Sequence, residues 1–217
     1  PHAVTLEHAE AALGTSALRY GRDDHYDVVS AFIKSMRGSD PQAATYYLGR
    51  MLEAGEAARF IARRMIIFAS EDIGLADPTA LLVAVAAAQA VEHVGLPEAS
   101  LNLSHAVIHL ATAPKSNRSA VALWGVQADI RNGAVGEVPA HLRDAHYSGA
   151  MTLGHGSEYD YPHDDPRGWV EQQYLPHELT DRRWYEPSEH GQEKEVAQRM
   201  KQRHDRPTNT PSTPKDA

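Results

Sequence analysis

Cysteine is absent from the 217 residues of this chain. Disulfides and thiolate metal sites are therefore excluded, and a cytoplasmic setting is the expectation. Long hydrophobic runs are missing as well. The most apolar stretch, Pro78 to Val91, carries no charged residue but extends over only 14 positions. A membrane-spanning helix takes roughly 20 apolar residues, so no membrane partner is expected. No apolar N-terminal segment resembles a signal peptide. Positive charge is in short supply, with Lys+Arg 21 against Asp+Glu 29 and a net charge of −8. Bulk attraction to DNA or to anionic lipid is thereby disfavoured, and any nucleic-acid contact must be local.

Two chemical signatures are also missing. No G-x-x-x-x-G-K-[ST] loop occurs, and Gly154-His155-Gly156 does not open a helix after a strand. The chain is expected to bind no ATP by itself. Ser70, Asp72 and a histidine could make a triad on paper, yet there is no G-x-S-x-G nucleophile elbow to present the serine. His155, His163, Asp164 and Asp165 share one irregular stretch. They lack the short helical spacing of H-E-x-x-H, so surface histidines and a capping Asp-Pro turn are the simpler reading, and no metal is expected.

What is present is helical pattern. Apolar residues make up 42% of the chain, enough for a real core. The stretch Phe60 to Val91 predicts two buried helices joined by Glu71-Asp72-Ile73-Gly74-Leu75-Ala76, and these are expected to form the centre of an all-α domain. The second begins at Asp77-Pro78, where the aspartate can accept from first-turn N–H groups and the proline needs no donor. Tyr26 to Arg37 carries Val29, Phe32, Ile33 and Met36 at helical spacing and ends at Gly38. Asp40-Pro41 starts the next helix, with Ala44, Tyr47, Leu48 and Met51 on one face, up to Gly55. Further helices are predicted from Gly95-Leu96-Pro97 to Pro114, and from Asn117 to Arg131 with Ser116 as cap.

Four regions follow. Residues 1–22, with a short helix over Val4 to Leu18, read as the end of a preceding domain and a linker. Residues 23–134 read as the helical core, and 135–200 as an irregular, aromatic-rich segment with short helices that packs on it. Residues 201–217 read as a disordered, proline-rich tail. The chain begins with proline and is expected to be a piece of something longer.

Charged residues supply the candidate sites. Glu71 and Asp72 stand at a helix C-terminus, where the macrodipole disfavours them, so a cationic partner is expected. Arg63 and Arg64 lie about 10–13 Å back along one straight axis, at 1.5 Å per residue, too far for a direct pair. They are expected to meet Glu71, Asp72 or Asp77 across helices or across subunits, since arginine suits forked carboxylate pairs. Lys34 with Arg37, and Lys115 with Arg118, are possible DNA contacts, the second pair lying at a helix start. The alternative for these is solvated surface charge. No catalytic residue is assigned.

Five strings carry a family resemblance: HYDVVSAFIKSMRGSDPQAA, FIARRMIIFASEDIGLADP, APKSN, VPAHLRDAHY and GSEYDYPHD. Together they resemble the C-terminal domain of the RarA/MgsA group of AAA ATPases, replication-associated recombination proteins related to the Werner-helicase-interacting ATPase. The match covers about residues 25 to 200. One departure is Ala57-Ala58, where the family often has Asp-Pro. The resemblance implies a helical post-AAA oligomerisation domain, assembly as a homotetramer, and a parent ATPase at stalled replication forks. It implies ATP and magnesium only in the ATPase domain of that parent, a nucleoid-associated location, and DNA and a single-strand-binding protein as possible partners. A nucleic-acid-binding module is the alternative function.

Overall fold

The computed structural model describes residues 22–144, 156 and 158–204. The expected helix over Val4 to Leu18 and the tail beyond His204 lie outside the described residues. So do His155 and the segment around it. Helices run α1 Arg22–Arg37, α2 Pro41–Glu53, α3 Ala58–Phe68, α4 Thr79–His93, α5 Ala99–Thr112, α6 Arg118–Arg131 and α7 Glu193–His204. Among the described residues there is no strand, as the helical periodicity predicts. No helix among them is long and apolar enough to cross a membrane.

Local chemistry sets the boundaries. Asp40 caps α2 by accepting from the Ala43 N–H at 2.9 Å, with Pro41 at the first helical position, where a missing N–H costs nothing. Asp77 does the same for α4, accepting from the Thr79 N–H at 3.0 Å and from its hydroxyl at 2.6 Å. After Phe68 the backbone of α3 does not stop. It widens into a π-helical turn, Ala69–Ile73, followed by a 3-10 turn, Gly74–Ala76. Gly74 has φ 51°, and a Cβ there would lie 2.8 Å from the Ser116 carbonyl oxygen, so glycine is required.

The chain forms two compact units, divided near residue 120 rather than at the 134 boundary read from the sequence. The first holds α1 to α5 and the strap Ser188–Lys194. Its hub is α5, which packs against α1, α2, α3 and α4 and buries Ala99, Leu103, Ala106, Val107, Leu110 and Ala111. That corrects the expectation that the Phe60 to Val91 pair is the centre. Helix α4 turns only Ala80, Ala84 and Ala87 inward, and leaves Leu81 40% and Leu82 70% exposed. The physical reason is size. Alanines at i, i+4 and i+7 let α4 lie close against its neighbours, and the bulky residues then point away.

The second unit begins within α6 and takes in the irregular segment. The boundary shifts because the Trp184 indole N–H donates to Asp129 Oδ2 at 2.9 Å and its ring edge stands 3.2 Å from where a Gly125 Cβ would be. Helix α6 therefore goes with the segment that follows it. Short 3-10 turns at Ala140–Leu142, Pro162–Asp164 and His177–Leu179 interrupt otherwise extended chain. The Gln172 amide donates to the Asp160 carbonyl at 2.7 Å, and the His141 ring lies 2.7 Å from the Gln173 carbonyl oxygen.

Candidate functional site

The carboxylates of the π-turn find a cation, but not the expected one. Arg37, the last residue of α1, grips Asp72 with Nε 2.5 Å from Oδ1 and Nη2 3.1 Å from Oδ2. This forked pair pushes the Arg37 pKa up, chiefly through the hydrogen bond to Asp72. Asp77 lies 3.2 Å from His109 Nε2, off the line of a hydrogen bond, because its other oxygen is committed to Thr79. Neither Arg63 nor Arg64 meets Glu71, Asp72 or Asp77 within the chain. Arg63 lies over the Phe60 ring, 5.3 Å from its centroid, and the buried Nε of Arg64 has no hydrogen-bond partner. The pairing expected for these arginines is thus corrected within one subunit. The π-turn carries Asp72 towards the end of α1 instead of back along α3.

Lys115 is placed differently from a phosphate contact. Its ammonium donates to Ser39 Oγ at 3.1 Å, to the Ala111 carbonyl at 3.0 Å and to the Ala113 carbonyl at 2.5 Å. All three protons are used, so Lys115 closes the C-terminal end of α5 and ties it to the turn between α1 and α2. Burial lowers its pKa, and the nearby Asp72 charge opposes that shift. Arg118 is exposed, and its side chain makes no hydrogen bond or ion pair among the described residues.

Beside this knot the strap crosses the first unit. Glu193 is 0% exposed, and its carboxylate accepts from the hydroxyls of Ser116 and of Ser188. Gln192 N–H donates to the Ala76 carbonyl at 2.8 Å, and the His190 ring meets the Lys115 carbonyl at 2.8 Å. Ser116, expected as a simple helix cap, spends its proton on Glu193. Sequence reading missed this strap, whose only local signal is Gly191. There φ is 52° and a Cβ would stand 2.1 Å from the Ala76 oxygen.

Two surface features remain. A groove of about 520 Å³ opens between α1 and α3, with Val29, Ile33 and Phe60 as its apolar part and Lys34, Arg37 and Arg64 among its cations. The other is apolar. Helix α6 buries none of its residues although it carries Val121, Leu123, Trp124 and Ile130, and Leu82 and Leu101 stand out from the α4–α5 hairpin. Asp165, considered as a metal ligand, instead accepts from the Arg167 backbone N–H and from its guanidinium at 2.7–2.8 Å. These bonds lower its pKa to about 2.

The chain matches the family described as "MgsA AAA+ ATPase C terminal" over residues 38–204. It is 59% identical over 199 residues to an AAA domain-containing protein of Mycobacterium tuberculosis, covering 91% of this chain and 44% of that protein. It is 50% identical over 190 residues to replication-associated recombination protein A of Bacillus subtilis, covering 87% and 45%. It is 38% identical over 186 residues to the ATPase WRNIP1 of Dictyostelium discoideum, covering 84% and 21%. The chain thus spans less than half the length of these relatives. An all-helical core continuous with the matched segment is what the five sequence strings imply, and the chain belongs to the C-terminal domain family of the RarA/MgsA AAA+ ATPases.

Proposed function

We propose that this chain is the assembly module of an AAA ATPase and holds its parent together as a homotetramer. The observation that carries this reading is the bare apolar surface of α6. Its 14 residues include Val121, Leu123, Trp124 and Ile130, and none is buried. Water solvating that much aliphatic and aromatic surface is unfavourable, by roughly 25 cal/mol per Å². Contiguous apolar patches of this kind mark association sites. The outward Leu82 and Leu101 of the α4–α5 hairpin add to the same supply. The names of the relatives, replication-associated recombination protein A and WRNIP1, support a parent at work in DNA replication, recombination and repair, at stalled forks.

On this reading the chain performs no catalysis itself. ATP and magnesium are handled by an ATPase domain outside these residues, in a nucleoid-associated parent to which a single-strand-binding protein is a further partner. Light scattering behind a sizing column tests the central claim: a mass four times that of the chain is expected. A single-chain mass at every concentration would sink it.

A nucleic-acid-binding function is favoured by one observation, the exposed and unpaired side chains of Lys34 and Arg118. Few cations on an acidic chain release few counterions, so such binding would be weak and lost with salt. Binding that persists through a salt series would put this reading ahead.

A further inference from the structure

We propose that the groove between α1 and α3 is a docking site for a short acidic peptide segment of another protein, one that presents an apolar side chain between its carboxylates. The floor of the groove is Val29, Ile33 and Phe60, and the cations around it are Lys34, Arg37 and Arg64. Arg37 is already held by Asp72. The side chains of Lys34 and Arg64 make no ion pair or hydrogen bond among the described residues, and the Arg64 Nε is shut off from water without a partner. A buried N–H left unmatched is costly, and a carboxylate oxygen is the acceptor that a guanidinium fork fits best.

The chemistry of the floor selects among anions. A single-stranded nucleic acid needs flat rings for its bases and a cationic track for successive phosphates. Here two of the three floor residues are branched aliphatics, two cations are unpaired, and the chain as a whole carries a net charge of −8. A long polyanion is repelled by that field, whereas a short peptide needs only the local match. At about 520 Å³ the groove has room for a few side chains, as expected of a peptide anchor pocket.

The test uses the full chain and a fluorescein-labelled peptide, acetyl-Glu-Asp-Leu-Phe-Asp-Glu-amide, read by anisotropy. Its control has serine in place of the leucine and phenylalanine. Saturable binding is expected, weakened about tenfold by Arg64→Gln, the loss of one charge-assisted hydrogen-bonded pair. Lys34→Gln should weaken it about two- to fivefold, as for an exposed ion pair. The control peptide should bind at least about tenfold more weakly, as expected for removal of a leucine and a phenylalanine from a pocket. Equal binding of the control, no binding at all, or binding of a labelled twelve-residue thymidylate strand that depends on Lys34 and Arg64 instead would each overturn the proposal. So would a fall in the mass of the Arg64→Gln chain, which would make the groove a contact between copies. Because mass and peptide binding are read separately, failure here leaves the assembly reading intact.

Discussion

Arg37 holds both oxygens of Asp72 across 35 residues of chain, and so fastens the end of α1 to the π-turn that follows α3. The aspartate side chain is 11% exposed and the arginine 48%, which puts the pair between the buried and the surface regimes. Removing the arginine strands a nearly buried carboxylate. Arg37→Ala is expected to cost about 1–3 kcal/mol, above the 0–1 of an exposed pair and below the 3–5 of a fully buried one. Urea denaturation checks it. A change under half a kcal/mol would show the fork to be a surface contact.

Lys115 supports a second stability prediction. Its ammonium satisfies the Ala111 and Ala113 carbonyls and the Ser39 hydroxyl. Lys115→Ala leaves two helix-end acceptors without a donor and is expected to lower stability by about 1–3 kcal/mol. Lys115→Arg should recover part of this. A DNA-contact role predicts the opposite pattern, an unchanged melting temperature and weaker oligonucleotide binding.

How far these features were legible in the sequence depends on their range. Caps were legible because they are local. Asp40-Pro41 and Asp77-Pro78 announce helix starts by chemistry confined to three residues, and both aspartates accept from the N–H groups expected of them. The hub was misplaced because composition does not say which residues of an apolar helix point inward. Phe60 to Val91 has the stronger pattern, yet α4 buries alanines and turns its leucines out. The partners of Asp72 and Lys115 were invisible for another reason. A π-turn rotates a side chain by an amount that no periodicity encodes, and the Ser116–Glu193 bond spans 77 residues.

Gly191 tests the strap. An alanine there would need φ near 52° and would press on the Ala76 carbonyl. Strain at such a position costs of order 1–3 kcal/mol before any clash. Gly191→Ala is expected to lift Ser188–Lys194 from the first unit, and hydrogen exchange reports it directly. The Gln192 amide, bonded to the Ala76 oxygen, should lose its protection while amides in the middle of α5 keep theirs.

Asp165 carries a pH prediction. Its folded pKa is about 2, below the model value of 3.8. A depressed carboxylate contributes stability that is present above the unfolded value and lost as pH falls through the folded one. The window is therefore about pH 4 down to about pH 2. Carbon NMR of the Asp165 carboxyl should place its titration near 2. Arg167→Ala should return it to the ordinary range, because the guanidinium and the Arg167 amide are what hold it down.

Exposed leucines give the sharpest test of assembly, because the monomer has almost no stake in them. Leu82 is 70% and Leu101 73% exposed, so replacing either by lysine should change the stability of a lone chain by no more than about half a kcal/mol. In an interface the same lysine brings a charge into a dry contact, where leaving it unpaired costs several kcal/mol. Trp124, half exposed on α6, is the third position, since tryptophan is among the side chains that dominate association energy. Leu82→Lys and Trp124→Ala are each expected to lower the mass measured by light scattering while leaving far-ultraviolet circular dichroism unchanged. Ala84→Lys, on the inward face of α4, should instead unfold the first unit, because it forces a charge into the core. That contrast separates loss of assembly from loss of fold. If all three exposed variants keep the mass of the parent chain, these side chains lie outside the subunit contact, and the assembly reading loses the surface on which it rests.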